Sequence, residues 1–176
     1  MKRIIAVALL GALLLALCSC GRTSADLTFY VLAEGTYSLN QTDEELFQLA
    51  KKQGRKALTQ KDLNGVLWQE QRFELKGLNV LGACGDGGSA LFQATAGDLF
   101  VVALGNRVLF SGGFAPKSGT LPVKNPYIKD ETHTVFALCY DEKYGTADTR
   151  WNDTLYRYLA DHQLLVSNIF EPEEDE

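Results

Sequence analysis

The stretch DLFVVAL at Asp98 to Leu104, followed by Gly105-Asn106 and then RVLFS at Arg107 to Ser111, decides the fold. Two runs rich in β-branched and aromatic residues flank a two-residue loop that begins with glycine. A first-position glycine suits the positive φ of a type II′ turn, whose twist matches that of the strands it joins. Pairing Leu104 with Arg107 sets Ala103 opposite Val108 and Val101 opposite Phe110 on one face. Val102 opposite Leu109 then falls on the other face, beside Phe100. Apolar side chains on both faces predict a hairpin lying centrally in a sheet that is covered on at least one side and partly on the other.

Upstream, Lys76 to Gly97 holds Gly77, Gly82, Gly85, Gly87, Gly88 and Gly97, a density that predicts tight turns and close backbone approaches. Gly85-Asp86-Gly87-Gly88-Ser89 lacks the lysine of a phosphate-binding loop and puts an acid where phosphate would sit, so it reads as a turn. Trp68 to Leu75 reads as a strand with Phe73 and Leu75 on one face, and Thr59 to Leu63 as one short helical turn. Thr42-Asp43-Glu44-Glu45 forms a capping box, in which Thr42 caps the amide of Glu45 and Glu45 reaches back. Leu46, Phe47, Leu49 and Ala50 form one helical face and Gly54 is a stop, which predicts a helix over 43–53. Leu27 to Ala33 (LTFYVLA) is the first strand.

Downstream, Gly112 to Pro126 reads as a loop punctuated by Pro116, Gly119, Pro122 and Pro126, and His133 to Tyr140 as a second central strand. Asp148 to Asp153 offers several helix caps ahead of Leu155, Tyr158, Leu159 and His162 at helical spacing. The order β-α-β-ββ-β-α predicts an α+β fold, a mainly antiparallel sheet with a central hairpin and two packed helices.

The amino terminus has a different character. Met1-Lys2-Arg3 is basic and residues 4–17 are fourteen apolar residues and glycines. As a helix these would reach roughly 21 Å, short of the roughly 30 Å hydrocarbon core, so a cleaved signal is favoured over an anchor helix. Leu17-Cys18-Ser19-Cys20 resembles the lipobox of bacterial lipoproteins, with Leu three residues before the cysteine and a small residue directly before it. The resemblance implies a diacylglycerol on the Cys20 sulfur and cleavage after Ser19. Ordinary secretion, with cleavage after Ala25 and Thr23 as the second small residue, is the competing reading. The lipobox reading divides the chain into a signal at 1–19, a tether at 20–26, one domain at 27–170 and an acidic tail at 171–176.

Residues 20–176 make 157 residues, the size of one ordinary domain. Loss of Lys2 and Arg3 leaves 15 basic against 22 acidic residues, which argues against nucleic acid as a partner. Five acids, Glu171, Glu173, Glu174, Asp175 and Glu176, lie in the last six residues, so the rest of the mature chain is close to neutral. With Cys18 removed and Cys20 acylated, Cys84 and Cys139 are the only pair left for a disulfide. Its loop of about 55 residues would stabilise by about 4 kcal/mol. A thiol at Cys139 buried as a small apolar residue is the other reading.

Catalytic patterns are sparse. His133 and His162 have no ligand-like spacing to each other or to Cys, Asp or Glu; His133 reads as a strand opening and His162 as a helix end. Neither Ser89 nor Ser111 sits in a G-x-S-x-G elbow, and no cofactor motif is present. Asp86 and Asp98 could form a carboxylate pair only if the fold brings them together. Among the aromatics, Tyr127 and Tyr144 lie in or beside loops and are the expected surface contributors.

FVVALGNRVLFSGGF followed by DTRWNDTLYRYL resembles small lipoproteins of Firmicutes over residues 57–165, with Arg150, Asp153 and Leu159 carrying the likeness. The resemblance implies an α+β domain behind an acylated cysteine, with no activity attached. Two functions follow as expectations: a lipid-anchored extracytoplasmic binding or interaction module, held to the membrane through Cys20, or an envelope hydrolase using Asp86 or Asp98.

Overall fold

A computed structural model describes residues 25–77, 93–115, 119, 121–132, 134–145 and 147–169. Among the described residues eight strands are formed: β1 (Leu27–Leu32), β2 (Arg55–Thr59), β3 (Leu63–Leu67), β4 (Arg72–Leu75), β5 (Leu99–Leu104), β6 (Arg107–Ala115), β7 (Tyr127–Asp130) and β8 (Val135–Cys139). Two α-helices accompany them, α1 (Asp43–Gln53) and α2 (Asp153–Asp161). All strands join one sheet in the order β2-β1-β5-β6-β7-β8-β4-β3. Every neighbouring pair is antiparallel except β6 and β7, which run parallel. The architecture is therefore α+β, with a mixed, mainly antiparallel sheet larger than the hairpin-centred one expected.

Strands β2 and β3 stand at opposite ends of that order, yet a single 3-10 turn at Gln60–Asp62 joins them. The sheet must therefore coil until its two edges come to one side. Phe29 of β1 consequently meets Phe73 of β4 and Phe136 of β8 across the concave face, with ring centroids 6.2 and 6.1 Å apart. Phe73 and Phe136 stack at 4.9 Å and 7°. Helix α2 closes this core with Leu155, Tyr158 and Leu159. On the convex face, Leu46, Phe47 and Ala50 of α1 cover Tyr30, Leu32, Leu99, Val101 and Ala103. Strand β5 is thus buried on both faces, which accounts for its unbroken apolar run.

The two edges are protected differently. Strand β2 exposes Arg55 and Lys56, charges that discourage pairing with another chain. Strand β3 is covered by the segment after α2: the Val66 amide donates to the Leu164 carbonyl at 2.7 Å, and the Val166 amide to the Val66 carbonyl at 3.1 Å.

Several expectations are met locally. Helix α1 spans Asp43–Gln53 with the Thr42–Glu45 capping box in place and Gly54 as its C-cap. Gly105 takes φ 54° between β5 and β6, and Leu104 pairs with Arg107 and Ala103 with Val108. Beyond that the register departs from the simple ladder. A bulge places Val102 opposite Phe110 and Val101 opposite Ser111, so Phe110 turns to the concave core with Phe100 and Val102. Extra twist at a bulge helps a sheet coil.

Gly112 to Ala115 belongs to β6 and not to a loop. A side chain at Gly112 would overlap the Pro126 carbonyl oxygen and the Phe100 ring, so this glycine serves close approach within the sheet. Strands β2, β3 and β7 were not expected, and Trp68–Glu70 is a 3-10 turn ahead of β4.

Candidate functional site

An open cleft lies where the turn after β3 meets α2. Gln71 adopts the left-handed φ of 55°, which lets its backbone amide donate to the Trp68 carbonyl at 3.1 Å while its side-chain Nε2 donates to the same oxygen at 3.0 Å. Gln71 is buried, and this double tie fixes the turn that carries Trp68. Asn152 caps α2, its Oδ1 accepting from the amides of Thr154 and Leu155 at 3.1 Å each, and its Nδ2 donating to the Leu109 carbonyl at 3.4 Å. The helix start is thereby tied to β6.

With Leu155, Tyr158 and Leu159 facing inward, Tyr156 and the preceding Trp151 are left at the surface, 43% and 47% exposed. Trp68 meets Tyr156 with ring centroids 5.3 Å apart at 57°, and Trp151 edge-on at 5.9 Å and 81°. Beside these rings opens a cleft of about 340 Å³, lined by Leu67 to Gln69, Tyr156 and Leu165 to Ser167. None of its described lining residues is charged.

The flank of the cleft is held by polar contacts. Arg150 forms a salt bridge with Asp148 at 2.7 Å, donates to the Leu138 carbonyl at 3.0 Å, and lies 5.9 Å from the Trp151 ring centroid. Hydrogen bonding to Arg150 holds the Asp148 carboxyl below its ordinary range. The Tyr158 hydroxyl accepts the Leu27 amide at 3.2 Å and donates to Gln60, joining α2 to β1 and to the β2–β3 corner; burial pushes this phenol up. His162 is the C-cap residue, its Nδ1 2.8 Å from the Tyr158 carbonyl and its ring packed on Tyr158, in line with a helix-end role.

A second polar cluster joins α1 to the sheet. Ser111 Oγ donates to Asp43 Oδ1 at 2.5 Å, and Lys124 Nζ donates to Ser111 Oγ at 2.6 Å and to Asp43 Oδ1 at 2.9 Å. A serine beside a lysine suggests nucleophilic chemistry, but Lys124 is here a donor to two oxygens and Ser111 is only 1% exposed. The Ser111 oxygen is thus buried and fully engaged by its two partners. The cluster ties α1, β6 and the segment before β7 together.

Asp98 has a comparable role. It is buried, its Oδ1 accepts the Glu34 amide at 2.9 Å and its Oδ2 the Thr95 amide at 2.6 Å. Both carboxylate oxygens thus staple the turn before β5 to the end of β1. Tyr37 donates to the neighbouring Gly97 carbonyl, and burial, reinforced by Asp98 and Glu34, pushes its phenol up.

Among the described residues Cys139 has no bridging partner; it ends β8 half-buried, hydrogen-bonded to Tyr127, and burial pushes its thiol up. Cys20, Cys84, Asp86, Ser89, His133, the signal and the acidic tail lie outside the described residues. Among those described, no three His, Cys, Asp or Glu side chains gather as a metal site, and no helix is long and apolar enough to cross a membrane.

The aromatic site was only partly legible. Tyr127 and Tyr144, expected at the surface, are half-buried, whereas Trp151 and Tyr156 are exposed. Tyr156 could have been found from the helical wheel, since it falls off the stripe of Leu155, Tyr158 and Leu159. The part played by Trp68 depends on a turn that local pattern did not signal. Compared with known proteins, the chain matches no family model, no curated protein and no solved structure.

Proposed function

We propose that the protein is a lipoprotein anchored at the outer face of the cell membrane through Cys20, and that its α+β domain is a binding module. The anchor rests on the lipobox-like Leu17-Cys18-Ser19-Cys20 behind a short apolar segment. A diacylglycerol supplies two chains, and each buried methylene contributes about 0.8 kcal/mol, enough for durable attachment. The observation that carries the binding reading is the exposed aromatic group of Trp68, Trp151 and Tyr156 beside an open cleft. Exposed aromatic rings are strong anchors for ligands because they bury a large area at small entropic cost. The hydrolase alternative has less support, because Asp98, one of its two acids, accepts two backbone amides.

Intact-mass analysis of the mature protein tests the anchor. A chain beginning at Cys20 with the added mass of a diacylglycerol is expected, and an unmodified chain beginning at Asp26 would overturn it. Photo-crosslinking from position 167, at the rim of the cleft, in intact cells tests the module: a discrete adduct lost on Trp68→Ala is expected, and the absence of any adduct would refute the reading.

A further inference from the structure

Resting on the binding-module reading, we infer that the cleft between the Trp68 turn and α2 takes a neutral saccharide, a short run of uncharged pyranose units. The lining joins two kinds of surface. Trp68, Tyr156, Leu165 and Val166 offer aromatic and aliphatic area, while the Gln69 amide and the hydroxyls of Tyr156 and Ser167 supply donors and acceptors. None of the described lining residues is charged, and Arg150 on the flank is already paired with Asp148, so a phosphate-bearing or carboxylate-rich ligand finds no unpaired counter-charge among them. A purely aliphatic ligand would leave those polar groups without partners.

A pyranose answers both demands. Its C–H face is electropositive and packs on the negative face of an aromatic ring, while its equatorial hydroxyls hydrogen-bond at the rim. The cleft volume of about 340 Å³ falls at the small end of ligand sites, suited to one or two rings rather than a folded partner. An extended peptide is less well served. Its main chain would need a free strand edge to pair with, and the β3 edge beside the cleft is taken by Leu164 and Val166.

The test uses a favourable property of the chain. Trp68 and Trp151 are its only two tryptophans, and both belong to this aromatic group, so intrinsic fluorescence of the full-length protein in detergent reports on the site directly. Titration with uncharged β-linked hexose and N-acetylhexosamine tetrasaccharides is expected to give a saturable emission change. Tyr156→Ala should weaken the midpoint at least tenfold. Gln69→Ala should weaken it severalfold with unchanged thermal unfolding because its side chain is exposed, and Tyr156→Ala, which loses its packing on Trp68, should still unfold cooperatively above the titration temperature.

No saturable change with any uncharged tetrasaccharide, or a change unaffected by Tyr156→Ala, would overturn the saccharide assignment. A proline-rich peptide producing the change in place of the sugars would also overturn it. The crosslinking from position 167 separates the two levels. An adduct with a protein partner and no response to sugars refutes the saccharide alone, whereas no adduct and no response refute the binding module as well.

Discussion

Ser111 and Asp98 show how a polar side chain buried in a small domain is used up by structure. Ser111→Ala removes two hydrogen bonds, the one it donates to Asp43 and the one it accepts from Lys124, but leaves the Lys124–Asp43 pair at 2.9 Å, so the expected loss is about 1–2 kcal/mol, read as a lower urea midpoint with unchanged slope. A variant as stable as the parent would show that the cluster contributes nothing net. Phe136 has a larger role, since it is fully buried and touches both Phe29 and Phe73 across the coiled sheet. Phe136→Ala is expected to cost about 3–5 kcal/mol by denaturant unfolding, because the cavity would sit where three strands converge. These roles were hard to read from local pattern. Asp98 opens an apolar strand and Ser111 precedes two glycines, but their partners Glu34 and Asp43 lie 64 and 68 residues away.

At the scale of elements, α1 and β6 respond to different physics. The N-cap of α1 satisfies amides that the helix itself cannot, so Thr42→Ala is expected to lower stability by about 1 kcal/mol, measurable by thermal or urea unfolding. Gly112→Ala acts through crowding: the added methyl must push the Pro126 segment or Phe100 aside, at an expected cost of about 1–3 kcal/mol. Near-identical unfolding of Gly112→Ala and parent would show that β6 and the Pro126 segment are not in tight contact. Helix α1 was legible because its cap, apolar face and stop are all local. Strand β2 was not, because it lies at an edge with Arg55 and Lys56 exposed and shows no clean alternation. The hairpin was legible at its turn and then slipped, since the bulge between Val102 and Ala103 serves the curvature of the whole sheet.

For the whole molecule, the raised groups give stability a defined pH dependence. Burial pushes Tyr37, Tyr127 and Tyr158 above the ordinary tyrosine value of 10.0 and Cys139 above the ordinary thiol value of 9.0. The unfolded chain therefore loses these protons first, so the stabilisation is intact below about pH 9 and declines as pH rises beyond it. At the acid end, Asp148 held low by Arg150 contributes above its ordinary value of 3.8 and loses that contribution as pH falls. Urea midpoints are expected to be flat near neutrality and lower at about pH 10.5. A midpoint unchanged at that alkaline pH would contradict the burial of these phenols.

Charge, the short apolar segment ahead of Cys20, the α1 cap and the Gly105 turn were determined by the sequence alone, because each is a matter of composition or of neighbours within a few positions. Tertiary structure decided the rest: the coiling that sets Phe29 against Phe136, the parallel pairing of β6 with β7, and the meeting of Trp68 with Tyr156. These contacts join segments far apart in the chain. They arise from the requirement that one sheet enclose its own core, a condition that no local spacing expresses.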